Sequence, residues 1–321
     1  MSFSSDVKNE LYGVTGSARH CRIAELAALI GFCGRTEPSG KRPGAQTLCF
    51  ATTHRGVFDK YLFLLKKLFH VETEQLQTSS RPRKNGDVYE ACIPDPDITE
   101  RILEAIDYGA AGEHGASIHV PDVHSVILKK NCCRRAFIRG AFLAAGSVSD
   151  PNRSYHFEIV CETREMADGV SSLICSFGID ARIVRRQKYF VIYIKDSSQI
   201  SDMLGLMEAT VSLLNFENVR VVREVRGGVN RKVNCETANI EKTATAAARQ
   251  IEDIRYIEKT VGLSRLSKAL DEMAEVRLQY PTATLAELGD LLEPPVSKSG
   301  VNHRLREISR IADDLRNTRR Q

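Results

Sequence analysis

A chain of 321 residues, 42% hydrophobic and 27% charged, has the composition of an ordinary globular protein of about two domains, or three small ones. No apolar run approaches the roughly 20 residues of a membrane-spanning helix. The start, Met1-Ser2-Phe3-Ser4-Ser5-Asp6-Val7-Lys8, has no basic stretch followed by an apolar core, so neither a membrane protein nor a secreted one is expected. The net charge of +4 sits at the C-terminal end, where residues 218–321 hold 19 Lys and Arg against 15 Asp and Glu; this mildly suggests a polyanionic partner. Nine cysteines without a CxxC pair read as reduced, mostly buried thiols in a cytoplasm, not as a disulfide framework.

The first clear element is a helix over Ile23–Gly34, whose small residues Ala24, Ala27, Ala28 and Gly31 share one face, with Gly34 as its stop. Gln46–Thr52 reads as a strand. Phe58, Leu62, Leu65 and Phe69 then fall on one helical stripe. Glu72–Ser79 and Asp87–Ile93 alternate like strands around Arg81-Pro82-Arg83-Lys84-Asn85-Gly86, a turn with an Asn-Gly signal. A helix starting at Asp97 or Thr99 carries Ile102, Leu103 and Ile106. Gly109–His124 reads as a connector.

The same order then returns. Arg134–Val148 contains a second small-faced helix (Gly140, Ala141, Ala144, Ala145) stopped at Gly146. A strand Tyr155–Glu162, a helix with Val170, Leu173 and Ile174, a hairpin Asp180–Val184 and Tyr189–Ile194, and a helix from Ser197 follow. Small residues four apart let two helix backbones approach closely, so the two halves are expected to pack through these helices. Both hairpin tips are basic: Arg81, Arg83 and Lys84 in one, Arg185, Arg186 and Lys188 in the other.

The C-terminal third is helical. Asn239–Thr260 is a long amphipathic helix, and Leu263, Leu266, Leu270 and Met273 form another stripe. Thr284 and Glu287 make a capping box for a short helix, which Glu293-Pro294-Pro295 stops. Ser297 caps a third helix, with Val296 and Val301 as its staple. Val301, Leu305, Ile308, Ala312 and Leu315 form its apolar stripe. Ser299, His303, Arg306 and Arg310 lie opposite, Asn302 beside them, and Lys298 and Arg304 flank the stripe. A short helix, a tight turn and a cationic helix form a helix-turn-helix pattern. Ser297, Lys298, Ser299, Asn302, His303, Arg304, Arg306 and Arg310 are the candidate DNA-binding residues, since Arg and Asn read purine edges and Lys and Ser hold phosphate.

The small-faced helices and the repeated order resemble the LAGLIDADG homing endonucleases. The chain as a whole resembles the WhiA family of bacterial DNA-binding regulators. That likeness is strongest at Val233–Asn239, Arg249–Arg255 and Pro294–Leu305. It implies an α+β fold: a first LAGLIDADG-like repeat over 1–115, a second over 116–222, a helical linker over 223–262 and a helix-turn-helix domain over 263–321. It also implies a regulator of sporulation, cell division or chromosome segregation, associated with the nucleoid in a bacterial cytoplasm. Its partners would be double-stranded promoter DNA and another transcription factor, with no membrane, small-molecule substrate or cofactor.

An endonuclease of this kind holds its metal ions on an acid at the end of each small-faced helix. Here Cys33 and Ala145 stand at those places. A thiol is a poor ligand for Mg²⁺ and a methyl group none, so no catalytic residue is expected. The tip residues and Lys129, Lys130, Arg134, Arg135 and Arg139 are candidate secondary DNA contacts. Glu72, Glu74, Glu90, Glu158 and Glu162 on the strands argue the other way, so the repeats are expected to touch DNA weakly or to serve a protein partner. Gly34 and Gly40-Lys41 miss the P-loop spacing, and Arg42 replaces its Ser/Thr. His114, His119 and His124 do not stack on a helix and have no cysteine nearby, so no metal is expected. Five cations near Cys132 and Cys133 would make acidic thiols, but the pair reads as buried, inert cysteines at a helix start. A residual metal-dependent nuclease and a division or segregation adaptor are the two other function classes in view.

Overall fold

The computed structural model describes residues 2–40, 44–82, 86–107 and 125–318. The expectations for Lys41, Arg42, Arg83, Lys84 and Asn85, for the connector Gly109–His124 and for its three histidines lie outside the described residues. The chain divides into two units, Met1–Arg223 and Glu224–Gln321.

In the first unit, α1 (Phe3–Gly13) precedes two repeats of one pattern. The first runs α2 (Arg19–Cys33), β1 (Gly34–Pro38), β2 (Gln46–Thr52), α3 (Arg55–Phe69), β3 (Gln77–Arg81), β4 (Val88–Ile93) and α4 (Pro96–Ala105). The second runs α5 (Asn131–Ala145), β5 (Gly146–Val148), β6 (Phe157–Cys161), α6 (Arg164–Cys175), β7 (Arg182–Arg186), β8 (Tyr189–Ile194) and α7 (Ser197–Leu206). Each forms a four-stranded antiparallel sheet of the same order, β1-β2-β4-β3 and β5-β6-β8-β7. One face of each sheet lies on the helices. In β6, Phe157, Ile159 and Cys161 enter the core while Glu158 and Val160 face away, as strand alternation requires.

Several boundaries differ from the sequence reading. Each half has one strand more than expected, β1 and β5, starting at the closing glycines. Gly34 and Gly146 are therefore not left-handed stops; both are extended, at φ −94° and −90°. Gly146 is needed for room, since a Cβ there would stand 2.3 Å from the Phe142 ring. Glu72 and Glu74 lie beside or within a 3-10 turn (Thr73–Gln75), not in a strand. Asp95 caps α4, its carboxylate accepting from the N–H groups of Asp97 and Ile98.

The two small-faced helices pack on each other through the middle of the unit. A Cβ on Gly140 would stand 2.7 Å from the Glu25 carbonyl oxygen and 2.8 Å from Ala28 Cβ, so only glycine permits the approach. An ionic cluster is buried at this seam. Glu25 is fully buried and meets Lys60 Nζ at 2.7 Å and Arg139 Nε at 3.0 Å. Arg139 Nη1 reaches Glu208 at 2.8 Å, and Lys60 also donates to the Leu11 and Val14 carbonyls. Arg139, 2% exposed, is thus corrected from a candidate DNA contact to a structural cation. Cys49 and Cys92, register partners on β2 and β4 with Cα atoms 4.1 Å apart, are joined as a cystine. This corrects the reading of nine free thiols; their sequence separation of 43 hides the pairing.

α8 (Thr210–Thr260) begins far before the expected Asn239, because the Glu10 carboxylate accepts from the free N–H groups of Val211 (2.7 Å) and Ser212 (2.9 Å) at its start. Its later part belongs to the second unit with α9 (Lys268–Gln279), α10 (Leu285–Asp290) and α11 (Lys298–Thr318). Ile254 and Ile257 of α8 are buried with Met273, Leu288, Val301, Leu305 and Ile308. The stretch read as a linker therefore supplies part of this core. Among the described residues, no helix is long and apolar enough to cross a membrane.

Candidate nucleic-acid interface

The interface is assembled by the turn between α10 and α11. Thr284 and Glu287 form the reciprocal capping box at the start of α10: Thr284 N–H donates to Glu287 at 2.7 Å and Glu287 N–H to the Thr284 hydroxyl at 3.4 Å. The chain then folds back so closely that Val296 N–H donates to the Gly289 carbonyl at 3.0 Å. A Cβ on Gly289 would lie 2.1 Å from the Val296 carbonyl oxygen. The Ser297 hydroxyl accepts from Gly300 N–H at 3.3 Å and so caps α11. Behind the turn, Arg277 is 1% exposed; it donates to Gln250 of α8 and, at 2.7 Å, to the Ala283 carbonyl. Burial lowers its pKa, and these acceptors are what make its burial tolerable.

α11 buries Val301, Leu305, Ile308 and Ala312, with Leu315 packed beside them. Ser297, Lys298, Ser299, His303, Arg306 and Arg310 are exposed, and Asn302 and Arg304 are half-buried. The eight candidates are not equivalent. Arg310 is paired with Glu307 at 2.5 Å and Asp314 at 3.4 Å, and hydrogen bonding to Glu307 raises its pKa. Arg304 leans back, its guanidinium 3.5 Å from the Ala269 carbonyl. Lys298 and Arg306 have no ion pair among the described residues. Leu285, Ser297, Lys298, Ser299 and Asn302 line one depression at the start of α11.

The first unit offers cations of a different kind. Lys129 and Lys130 are exposed. Arg134 and Arg135 are half-buried staples, donating to the carbonyls of Leu128 (2.9 Å) and Leu206 (3.0 Å). At the hairpins, Arg81 lies 3.9 Å from Glu90, and Arg186 meets Glu158 at 3.0 Å. Arg185 and Lys188 lie over the rings of Phe190 and Tyr189. The strand acids are matched in place: hydrogen bonding to Arg35 holds the Glu90 carboxyl below its usual range, and Glu158 is shared by His156 and Arg186.

Cys33 and Ala145 are the last residues of α2 and α5, in matching places. Burial pushes the Cys33 thiol up to about 12, so it stands neutral. Beside it is Lys8, 8% exposed, with its ammonium 5.8 Å from the centre of the Phe142 ring. Burial lowers the Lys8 pKa from 10.5 to about 8. A cation thus occupies the neighbourhood in which a metal ion would need carboxylates. Asp150 lies in a turn, accepting from Asn152 N–H at 2.9 Å.

Lys8 gives a pH-dependent expectation. Its folded pKa lies below its unfolded value, so the unfolded chain binds the proton more tightly and stability rises with pH between about 8 and 10.5. Below 8 the cost of the buried charge is fully present. Lys8→Met should therefore stabilise the first unit by on the order of 2 kcal/mol at neutral pH, and the gain should vanish above pH 10. Denaturant unfolding of both proteins at the two pH values measures this, and a gain that does not change with pH would refute the assignment.

Lys8, Arg277 and Gly289 were missed in the sequence. The only hint was Gly289 inside a helix that its capping box otherwise favours, where an isolated glycine usually has a packing reason.

The family model of the WhiA LAGLIDADG-like domain matches residues 134–226, and that of the WhiA C-terminal HTH domain matches residues 229–312. A probable cell division protein WhiA from Lachnoclostridium phytofermentans is 45% identical over 317 residues, spanning 98% of this chain and 100% of that protein. One from Desulforamulus reducens is also 45% identical over 317 residues, spanning 98% and 97%. Among solved structures, full-length DUF199/WhiA from Thermatoga maritima is similar with a TM-score of 0.57, at 25% identity over 98% of this chain and 99% of that one.

Proposed function

The chain belongs to the WhiA family, and from that premise we propose that it is a sequence-specific DNA-binding transcriptional regulator acting in cell division, chromosome segregation or sporulation. The observation that carries the reading is the division of α11 into a buried apolar stripe and an exposed face holding Ser299, His303 and Arg306. Such a helix can lie in a major groove with its donors on base edges, while Lys298 at its start holds phosphate. The partner is double-stranded promoter DNA, and a second transcription factor is the protein partner that the kinship suggests. The place of action is the nucleoid of a bacterial cytoplasm.

Cleavage is not part of the proposal. Its support is chemical: neither Cys33 nor Ala145 offers a hard oxygen ligand, and Lys8 brings positive charge to the same place. Cutting of supercoiled plasmid that requires Mg²⁺ or Mn²⁺ and is lost in Asp150→Asn would overturn this part.

Titration of the full chain against promoter fragments tests the rest. Arg306→Ala should lower specific affinity by about 1–3 kcal/mol and leave non-specific binding nearly intact. Lys298→Ala should weaken all sequences alike and reduce the salt slope by about one. Equal loss from both variants on every sequence would argue that α11 holds DNA without reading it. Promoter occupancy with transcript levels unchanged in Arg306→Ala cells would favour an adaptor over a regulator.

A further inference from the structure

The fold gathers four side chains that the sequence keeps far apart. α2 opens with His20-Cys21 and α5 with Cys132-Cys133, in each case the second and third residues of the helix. The two pairs occupy matching places, 14 and 13 residues before the closing glycines Gly34 and Gly146. Packed side by side, the helices bring one imidazole nitrogen and three sulfurs within 4.8 Å of one another. His20 Nδ1 lies 3.2 Å from Cys133 Sγ and 3.3 Å from Cys21 Sγ.

We propose that His20, Cys21, Cys132 and Cys133 hold one zinc ion that ties the first turns of α2 and α5 together. Zn–S bonds of about 2.3 Å and Zn–N bonds of about 2.0–2.1 Å place tetrahedral donors about 3.5–3.8 Å apart. The four donors are already close to that spacing, and small side-chain rotations complete it. Three sulfurs and an imidazole suit zinc and reject Mg²⁺ and Ca²⁺, which take oxygen. Four protein ligands leave no open position, so the ion is structural and has no substrate. Cys21 and Cys133 are buried while Cys132 is exposed, which gives the ion a path of entry. Exposed Lys129 and Lys130, just before α5, offset the negative charge of a tristhiolate site. The segment before α2 is pressed against the cluster, since a Cβ on Gly16 would stand 2.7 Å from Cys21 Cβ. This revises the expectation of no metal, which rested on the spacing of His114, His119 and His124 and on the absence of a cysteine near them.

The competing arrangement is a disulfide between two of the three sulfurs. The test uses the full-length chain, produced with zinc in the medium and purified under reducing conditions. Elemental analysis should find one zinc per chain. Replacement by Co²⁺ should give the visible absorption of a tetrahedral thiolate site. Cys132→Ser, a change at an exposed helix position, should lose the stoichiometric zinc and the cobalt spectrum while the far-ultraviolet circular dichroism is unchanged. Cys235→Ser, at an exposed cysteine outside the cluster, should keep both. A chelator should make three further thiols reactive in the unmutated protein. Zinc well below one per chain with all four ligands present would overturn the proposal. So would zinc retained by Cys132→Ser, or a disulfide among Cys21, Cys132 and Cys133 in protein prepared without reductant but with zinc.

Discussion

Glu25→Ala is expected to destabilise the first unit by about 3–5 kcal/mol, the range seen when one partner of a buried ion pair is removed. Among the described residues, Glu25 is the one acid at the seam that pairs with both Lys60, 4% exposed, and Arg139, 2% exposed. Without it two cations remain inside with too little compensation. Burial already lowers the Lys60 pKa, and Glu25 is the group that most opposes this. Loss of the carboxylate should drive Lys60 towards its neutral form, while Arg139 keeps the half-exposed Glu208 and the Met207 carbonyl. Replacing Glu25, Lys60 and Arg139 together by apolar residues of similar volume should cost much less than Glu25→Ala, because it removes the charges instead of stranding them. Denaturant unfolding of the single and triple variants measures both. A loss under about 1 kcal/mol for Glu25→Ala, the scale of a surface pair, would show that water reaches the cluster.

Gly289→Ala should damage the second unit comparably, by about 3 kcal/mol or more. The added methyl meets the Val296 carbonyl oxygen, a backbone atom of the residue whose N–H anchors the turn, so no side-chain rotation relieves the contact. The turn must open, and the hydrogen bond from Val296 N–H to Gly289 goes with it. Because that turn sets α11 against α10, specific DNA affinity should fall further than Arg306→Ala makes it fall. Salt-sensitive, sequence-independent binding should persist, since it depends on charge and not on the angle of one helix. Normal stability together with normal operator affinity in Gly289→Ala would show that the tight turn is not what positions the reading face.

The parts that were legible in the sequence are those whose signals are local. The strand reading of Gln46–Thr52 matched β2 to the residue, the Thr284–Glu287 box gave α10, and the 3.6-residue period gave the face of α11. The small faces of α2 and α5 gave the duplication, because four-residue spacing of Ala and Gly has few other uses. Pairings across the chain were not legible. Lys60 sits among Val57, Phe58 and Tyr61 with nothing nearby to announce its acid 35 positions earlier in α2. Cys49 and Cys92 become neighbours only through strand register, and Arg139 reads as one more cation in a basic run. α8 was read too short because Gly227-Gly228 interrupts it, at roughly 1 kcal/mol per glycine against helix. Within the site, exposure on α11 followed from its period, but the engagement of Arg310 and Arg304 by their own neighbours did not.

The seam between the repeats has a hand. Counted from the closing glycines, the place of Glu25 in α2 is held by Phe137 in α5, and the place of Arg139 in α5 by Ala27 in α2. In two first halves brought together the same way each Glu25 would face Ala27 of the other in place of Arg139, and in two second halves each Arg139 would face Phe137 in place of Glu25. Only the mixed pairing satisfies both, so the chain carries, in one acid and one base, a lock that tells its own other half from a second copy of the same half.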